Sequence, residues 1–267
     1  MPDRQAEPYR VRAVERAIEL LKAFSQETPD LSLIEMAERT GLAKPTVFRL
    51  LATLDASGLI SQNPGNGRYS LGSEITALSA IRARQSELLD RALPIMRRVR
   101  DEVDETTSLA IRVGDFRVHL YQLESLKTVR RTTEIGDLAP LYSGAANRLL
   151  LSAMDDAEID AYLERTTLER FTPRTIVDPG QIWAEITRIR ELGYAESRGE
   201  RNAGGVALAA PVRAASGAIV AAVYVTVPES RFTAELRASC IASVTGAGAE
   251  LSSELGFRDR GSSRSNA

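Results

Sequence analysis

Eight residues from Lys44 to Leu51, KPTVFRLL, set an ammonium, a hydroxyl and a guanidinium at Lys44, Thr46 and Arg49. Proline in the first turn of a helix costs nothing, because the N–H it lacks has no partner there. The run therefore predicts a helix from Pro45 to about Ser57, with Gly58 as its stop. On a helical wheel Val47, Leu50, Leu51 and Leu54 form the stripe that must be buried. The far side carries Pro45, Arg49, Ala52 and Ala56, flanked by Thr46 and Phe48. A slim outward face with donors in its first turns can enter a major groove, where base edges and phosphates accept hydrogen bonds. The stripe alone is equally met by a core helix with a solvated back.

Other chemistry is thinly provided. One cysteine, Cys240, excludes an intrachain disulfide, and with one histidine, His119, there is no Cys/His set for zinc. No metal or cofactor is expected. His119 lies in the alternating run VHLYQL, where a strand histidine is more often packed or solvent-facing than catalytic, and Cys240 sits in a helical pattern as a core residue. There is no G-x-S-x-G elbow and no P-loop, and TGAGAE at Thr245 lacks the preceding strand of a dinucleotide fingerprint. An enzyme is not expected. The 267 residues carry 34 Lys+Arg against 36 Asp+Glu, so no global basic field announces a polyanion and any such partner must meet a local patch. No window reaches 18 consecutive apolar residues and the first residues do not form a secretory signal, so the expectation is a cytoplasmic protein without a membrane partner.

The elements that position the polar helix can be read locally. Val14, Ala17, Ile18, Leu21 and Phe24 have helical spacing. Ser32 and Glu35 form a capping box opening a short helix that carries Ile34 and Ala37 inward and stops at Gly41. Two extended pieces, 59–62 and 68–71, flank the turn NPGNG, a hairpin signal. A tight helix-turn-helix followed by a hairpin is a winged helix-turn-helix. Over residues 42–72 the bases Lys44, Arg49 and Arg68 face one acid, Asp55; so modest a patch calls for an assembly that multiplies phosphate contacts. Helical periodicity resumes from Ser73 to about Val103, with Pro94 as a kink or break. Beyond it strands are expected at 109–113, 118–124, 205–213 and 218–228, and helices at 145–154, 157–165, 181–192 and 233–255, an α+β mix. The divisions are a tail over 1–9, the winged domain over 10–72, a connecting helix over 73–104, an α+β domain over 105–257 and a tail over 258–267.

The order RAVERAIELLKAF, LSLIEMAERTGLAKPTVFRLLATLDASGLI and GRYSLG closely resembles the N-terminal domain of IclR-type transcriptional regulators. The likeness continues through VGDFRVHLYQLES, IGDLAPLYSGAANRLLLSAM and AGGVALAAPVRAASGAIVAAVYVTVP, covering roughly residues 10–257. It implies a winged helix-turn-helix joined by a helix to a GAF-like, PAS-related effector domain. It further implies a homodimer or homotetramer that binds paired half-sites on double-stranded DNA and senses a small organic or aromatic acid. Carried over by position, Lys44, Thr46, Phe48 and Arg49 would face the groove, and Arg16, Arg68 and Tyr69 would meet phosphates or the minor groove.

Departures from the family pattern gather where the effector would sit. Tyr142, Gly144, Ser197, Ala207, Tyr224 and Thr226 stand where other residues are usual. Tyr142 and Tyr224 favour a bulkier, flatter ligand than a two- or three-carbon acid. Ser143 and the backbone N–H groups at the start of the helix at Ala145 could hold its carboxylate. A regulator that binds DNA without a ligand, its C-terminal domain serving only to oligomerise, remains the alternative.

Overall fold

The computed structural model describes residues 11–25, 28–84 and 87–258, so both expected tails fall outside the described residues but for Arg258. The chain divides into two compact units at Ser86. The first contains α1 (Arg12–Lys22), β1 (Asp30–Leu31), α2 (Leu33–Thr40), α3 (Lys44–Ala56), β2 (Ile60–Gln62), β3 (Tyr69–Leu71) and α4 (Ser73–Arg84). The Ser32 hydroxyl accepts from the Glu35 N–H at 3.3 Å, and the Glu35 carboxylate accepts from the Ser32 N–H at 2.7 Å, so the box that opens α2 is complete. Gly41 ends that helix at φ 66°, and α3 begins three residues later.

Leu20, Leu31, Met36, Val47, Leu51, Leu54, Ile60 and Tyr69 form the core of this unit. Ile34 does not join it: the residue is 51 % exposed, because the inward face of α2 runs through Leu33, Met36 and Ala37. The hairpin strands pair as expected, and β1 adds a third strand in the order β1-β3-β2. That two-residue strand has too little periodicity to be read from sequence. Where the hairpin leaves toward α4, Gly72 crosses the end of α3. A Cβ there would overlap the Gly58 carbonyl and lie 2.8 Å from the Ile60 oxygen. Gly72→Ala is expected to lower the melting temperature of the N-terminal unit and to broaden the hairpin resonances in an NMR spectrum; unchanged values would mean that the crossing can relax.

The second unit contains α5 (Glu87–Val103), β4 (Thr106–Val113), β5 (Phe116–Leu123), β6 (Leu138–Pro140), α6 (Ala145–Leu151), α7 (Asp156–Arg165), α8 (Pro179–Leu192), β7 (Ala195–Arg198), β8 (Gly205–Arg213), β9 (Ile219–Pro228) and α9 (Ala234–Glu254). Its six strands form one antiparallel sheet in the order β6-β5-β4-β9-β8-β7, confirming the α+β class. Alternate residues feed different cores. Val206, Leu208, Ala210, Val212, Ala221, Val223, Val225 and Val227 pack with α5 and α9. Ala209, Ala222 and Tyr224 face the other way, toward α6, α7 and α8.

The stretch expected as a connecting helix holds α4 and α5, which fall in different units. Its second half is α5, a core element of the C-terminal unit that buries Ala92, Ile95, Met96, Val99 and Val103. Arg98 reaches Glu250 on α9, at 3.1 Å for one of the pair's two contacts. Pro94 lies inside α5 on its exposed side, and the helix continues through it. The sequence TGAGAE also finds its explanation, since a Cβ on Gly248 would lie 2.7 Å from the Pro211 oxygen. That glycine lets α9 settle onto β8.

Candidate nucleic-acid interface and effector site

On α3 the side chains of Lys44, Phe48 and Arg49 are exposed and Thr46 is half-buried. The exposure of Phe48, 58 %, is high for a phenyl ring with no packing role in its own unit. The first turn of α3 contains no acid and Ala43 supplies no capping side chain. The positive helix end and Lys44 thus coincide, although Pro45 has no N–H and the Thr46 N–H donates to the Ala43 carbonyl at 2.8 Å. Asp55, the lone acid nearby, is occupied by accepting from the Gln62 N–H at 3.0 Å.

Two of the expected wing contacts have partners inside the protein. Tyr69 is only 6 % exposed, packed among Leu20, Val47 and Ile60, and cannot reach a duplex. Arg68 pairs with Asp30 through Nε and with Glu35 at 2.9 Å, and donates to the Asp30 carbonyl at 3.1 Å. Its charge is consumed in tying the hairpin to β1 and the start of α2. Arg16 is half-buried on α1. The turn instead presents Asn63 and Asn66, whose side chains accept from the Gly65 and Arg68 N–H groups and fix its shape.

The Arg68 tie carries a pH signature. The Ser32 backbone N–H, its hydroxyl and Arg68 hold the Glu35 carboxyl down from 4.5 to about 2. A depressed carboxyl contributes its stabilisation in full above its ordinary value and loses it as pH falls toward the folded one. Acidification from 4.5 toward 2 should therefore lower the melting temperature of the natural chain more steeply than that of Glu35→Gln. Parallel curves in a calorimetric pH series would refute the tie.

In the C-terminal unit the register aligns Ser197, Ala207 and Thr226 in one row across β7, β8 and β9. Tyr224 lies in the next row, between Ala209 and Ser108. Two donors of the expected carboxylate cradle at α6 are already used. The Gly144 N–H donates to Glu200 at 3.2 Å and the Ala145 N–H donates to the Ser197 hydroxyl at 3.0 Å. Glu200 also holds Arg148 through a two-pronged pair, at 2.6 Å for one prong, both residues being buried. The Tyr142 hydroxyl donates to the Glu169 carbonyl at 2.8 Å, and its ring stacks on Phe171 with centroids 6.2 Å apart. Gly144, Ala145 and Ser197 are thus structural, and Tyr142 offers its ring alone.

Ser143 is fully buried and its Oγ has no protein partner. Sequence reasoning passed over Arg117, Arg201 and Phe171 and treated His119 as packing. Arg117 and His119 are two apart on β5, so the alternation RVH could have placed them together on one face. His119 Nδ1 lies 2.7 Å from the Tyr224 hydroxyl while Nε2 has no partner. Burial, then Arg117, pushes the imidazole down from 6.5 to about 4, so it is neutral at ordinary pH. Arg117 gives Nη2 to Asp137 at 2.7 Å and leaves Nε and Nη1 buried without a partner. Arg201 lies with its guanidinium carbon 4.1 Å from the Phe171 ring centre, its Nη1 also buried and without partner.

The sequence relatives agree with this architecture. Residues 13–64 match the model of the IclR helix-turn-helix domain, and residues 82–253 match that of the bacterial transcriptional regulator IclR C-terminal domain. The HTH-type transcriptional regulator KipR of Bacillus subtilis is 30 % identical over 246 residues, covering 92 % of this chain and 98 % of its own. The HTH-type transcriptional repressor AllR of Escherichia coli is 30 % identical over 257 residues, with 95 % of each chain covered. Among solved structures, an IclR transcriptional regulator from Alicyclobacillus acidocaldarius superposes with a TM-score of 0.81 at 27 % identity, covering 93 % of this chain and 100 % of its own. An IclR homologue from Microbacterium hydrocarbonoxydans complexed with 4-hydroxybenzoate has the same fold, with a TM-score of 0.74 at 21 % identity, covering 91 % of this chain and 98 % of its own. With both of its parts matched in order, the chain belongs to the IclR family of DNA-binding bacterial transcriptional regulators.

Proposed function

We propose that this regulator binds operator DNA through α3 and that a small organic acid, held by the α6-facing side of the C-terminal sheet, changes its DNA affinity. The observation that carries the effector half is the set of buried polar atoms without protein partners at Arg117, His119 and Ser143. Native proteins rarely leave such groups unsatisfied, and functional sites are where the exceptions collect. The homologue complexed with 4-hydroxybenzoate supports an acid as ligand class.

Lys44, Thr46, Phe48 and Arg49 are the proposed groove contacts, with Arg16 on the adjoining phosphate backbone. A dimer or tetramer on paired half-sites fits a second feature. Val11, Val14 and Ile18 are exposed at helical spacing, an apolar stripe on and just before α1 that its own unit leaves uncovered. No described helix is long and apolar enough to cross a membrane. Fluorescence anisotropy with genomic operator fragments, with and without aromatic and aliphatic acids, tests the whole reading, because linkage requires a true effector to shift DNA affinity. An affinity indifferent to every acid would leave the ligand-independent regulator.

A further inference from the structure

We infer that the effector of this chain is a singly charged carboxylate clamped between Arg117 and Arg201, and that neutral analogues and dicarboxylates are rejected. This rests on the effector-site reading above and adds the charge and the donor set.

The orphaned groups are of one kind. Arg117 Nε and Nη1 and Arg201 Nη1 can only donate. His119 Nε2 donates in the neutral tautomer whose Nδ1 accepts from the Tyr224 hydroxyl, 2.7 Å away. Ser143 can donate as well. A ligand matching this set must be rich in acceptors.

The groups also belong together. Arg117 and Asp137 act electrostatically on His119, Tyr224 and Arg201 alike, and Arg201 acts on Tyr142. Ser143 joins them through its neighbour: a Cβ on Gly144 would lie 3.3 Å from the Arg201 side chain. Charge then fixes the valence. Arg117 is offset by Asp137, Arg148 by Glu200, and the imidazole is neutral, whereas among the described residues no acid is within ion-pair distance of Arg201. One positive charge remains uncompensated in a desolvated setting, and one negative charge completes it; a second would itself be buried unpaired. Separate N–H donors from two arginines suit the two oxygens of a planar carboxylate, and the Arg201–Phe171–Tyr142 stack adds a flat apolar flank.

The test is titration calorimetry on the full chain with two matched series: benzoate, benzamide and terephthalate, then butyrate, butyramide and succinate. In at least one series the monocarboxylate should bind ten-fold or more tightly than both its amide and its dicarboxylate. Arg201→Met should erase the acid-over-amide preference while raising the melting temperature of the unliganded chain, since it removes an uncompensated half-buried charge. Equal binding of acid and amide, or tighter binding of the dicarboxylate, overturns the inference while leaving an effector site in place. No binding by any member overturns the effector site as well. Should Arg201→Met fail to fold, the acid–amide–diacid comparison on the natural chain decides alone.

Discussion

Glu200→Ala is expected to destabilise the C-terminal unit by about 3–5 kcal/mol, the usual consequence of stranding one member of a buried ion pair. Arg148 is 1 % exposed and Glu200 6 %, so neither partner can turn to solvent once the other is gone. The loss would spread beyond the pair. Glu200 also accepts from the Gly144 N–H that opens α6, and its carbonyl accepts from Thr175 at 2.7 Å. The carboxylate thus joins the start of α6 to the strand exit after β7, while the backbone of Glu200 holds the loop before α8 and survives the substitution. Urea unfolding followed by circular dichroism measures the effect as a lowered midpoint. The exposed Arg165–Asp115 pair provides the contrast, since Arg165→Gln should barely move the midpoint. Replacing both buried partners with apolar residues of similar volume should recover much of the loss. A Glu200→Ala midpoint close to that of the natural chain would show that water reaches Arg148 and that the pair is not the anchor described.

The second large effect concerns DNA. If Arg49 reads a guanine edge, Arg49→Ala should weaken operator binding by about 1–3 kcal/mol and relax preference at one base position. Lys44→Ala, at the helix start, should instead weaken all sequences alike and reduce the salt dependence of binding. Arg68→Gln separates the two possible roles of the wing arginine. Its partners are Asp30 and Glu35, so it should lower the melting temperature of the N-terminal unit and leave the salt dependence of binding unchanged. A drop in salt slope for Arg68→Gln, with stability intact, would return that residue to the DNA. Anisotropy titrations at several salt concentrations on operator and scrambled duplexes distinguish these outcomes.

Features decided within a few residues were legible from sequence. The Ser32–Glu35 box, the Gly41 stop and the proline opening α3 depend only on near neighbours, and each took its expected form. Legibility ended where a distant partner decides. Arg68 looked like a wing contact because Asp30 and Glu35, 38 and 33 residues earlier, cannot be assigned to it by pattern. Tyr69 sits in a three-residue strand, too short to reveal its inward side. Ser197 looked free because its partner, the Ala145 N–H, is 52 residues away. Departures at Tyr142, Ser197, Ala207 and Tyr224 lie on the side of the sheet where the proposed effector site falls. The arginines on that side escaped notice because a guanidinium on a strand is ordinarily solvated, and only burial marks Arg117 as different.

The split of the C-terminal sheet into two unlike faces has an evolutionary consequence. Neighbouring positions along β9 answer to separate demands: Val223 and Val225 hold α5 and α9, while Tyr224 between them meets His119. If that face holds the proposed effector, substitution at every second position can retune which ligand is bound without disturbing the aliphatic layer behind it. Within such a lineage, drift should run in a period of two along β5, β8 and β9, with one phase conservative in volume and the other free to change chemistry.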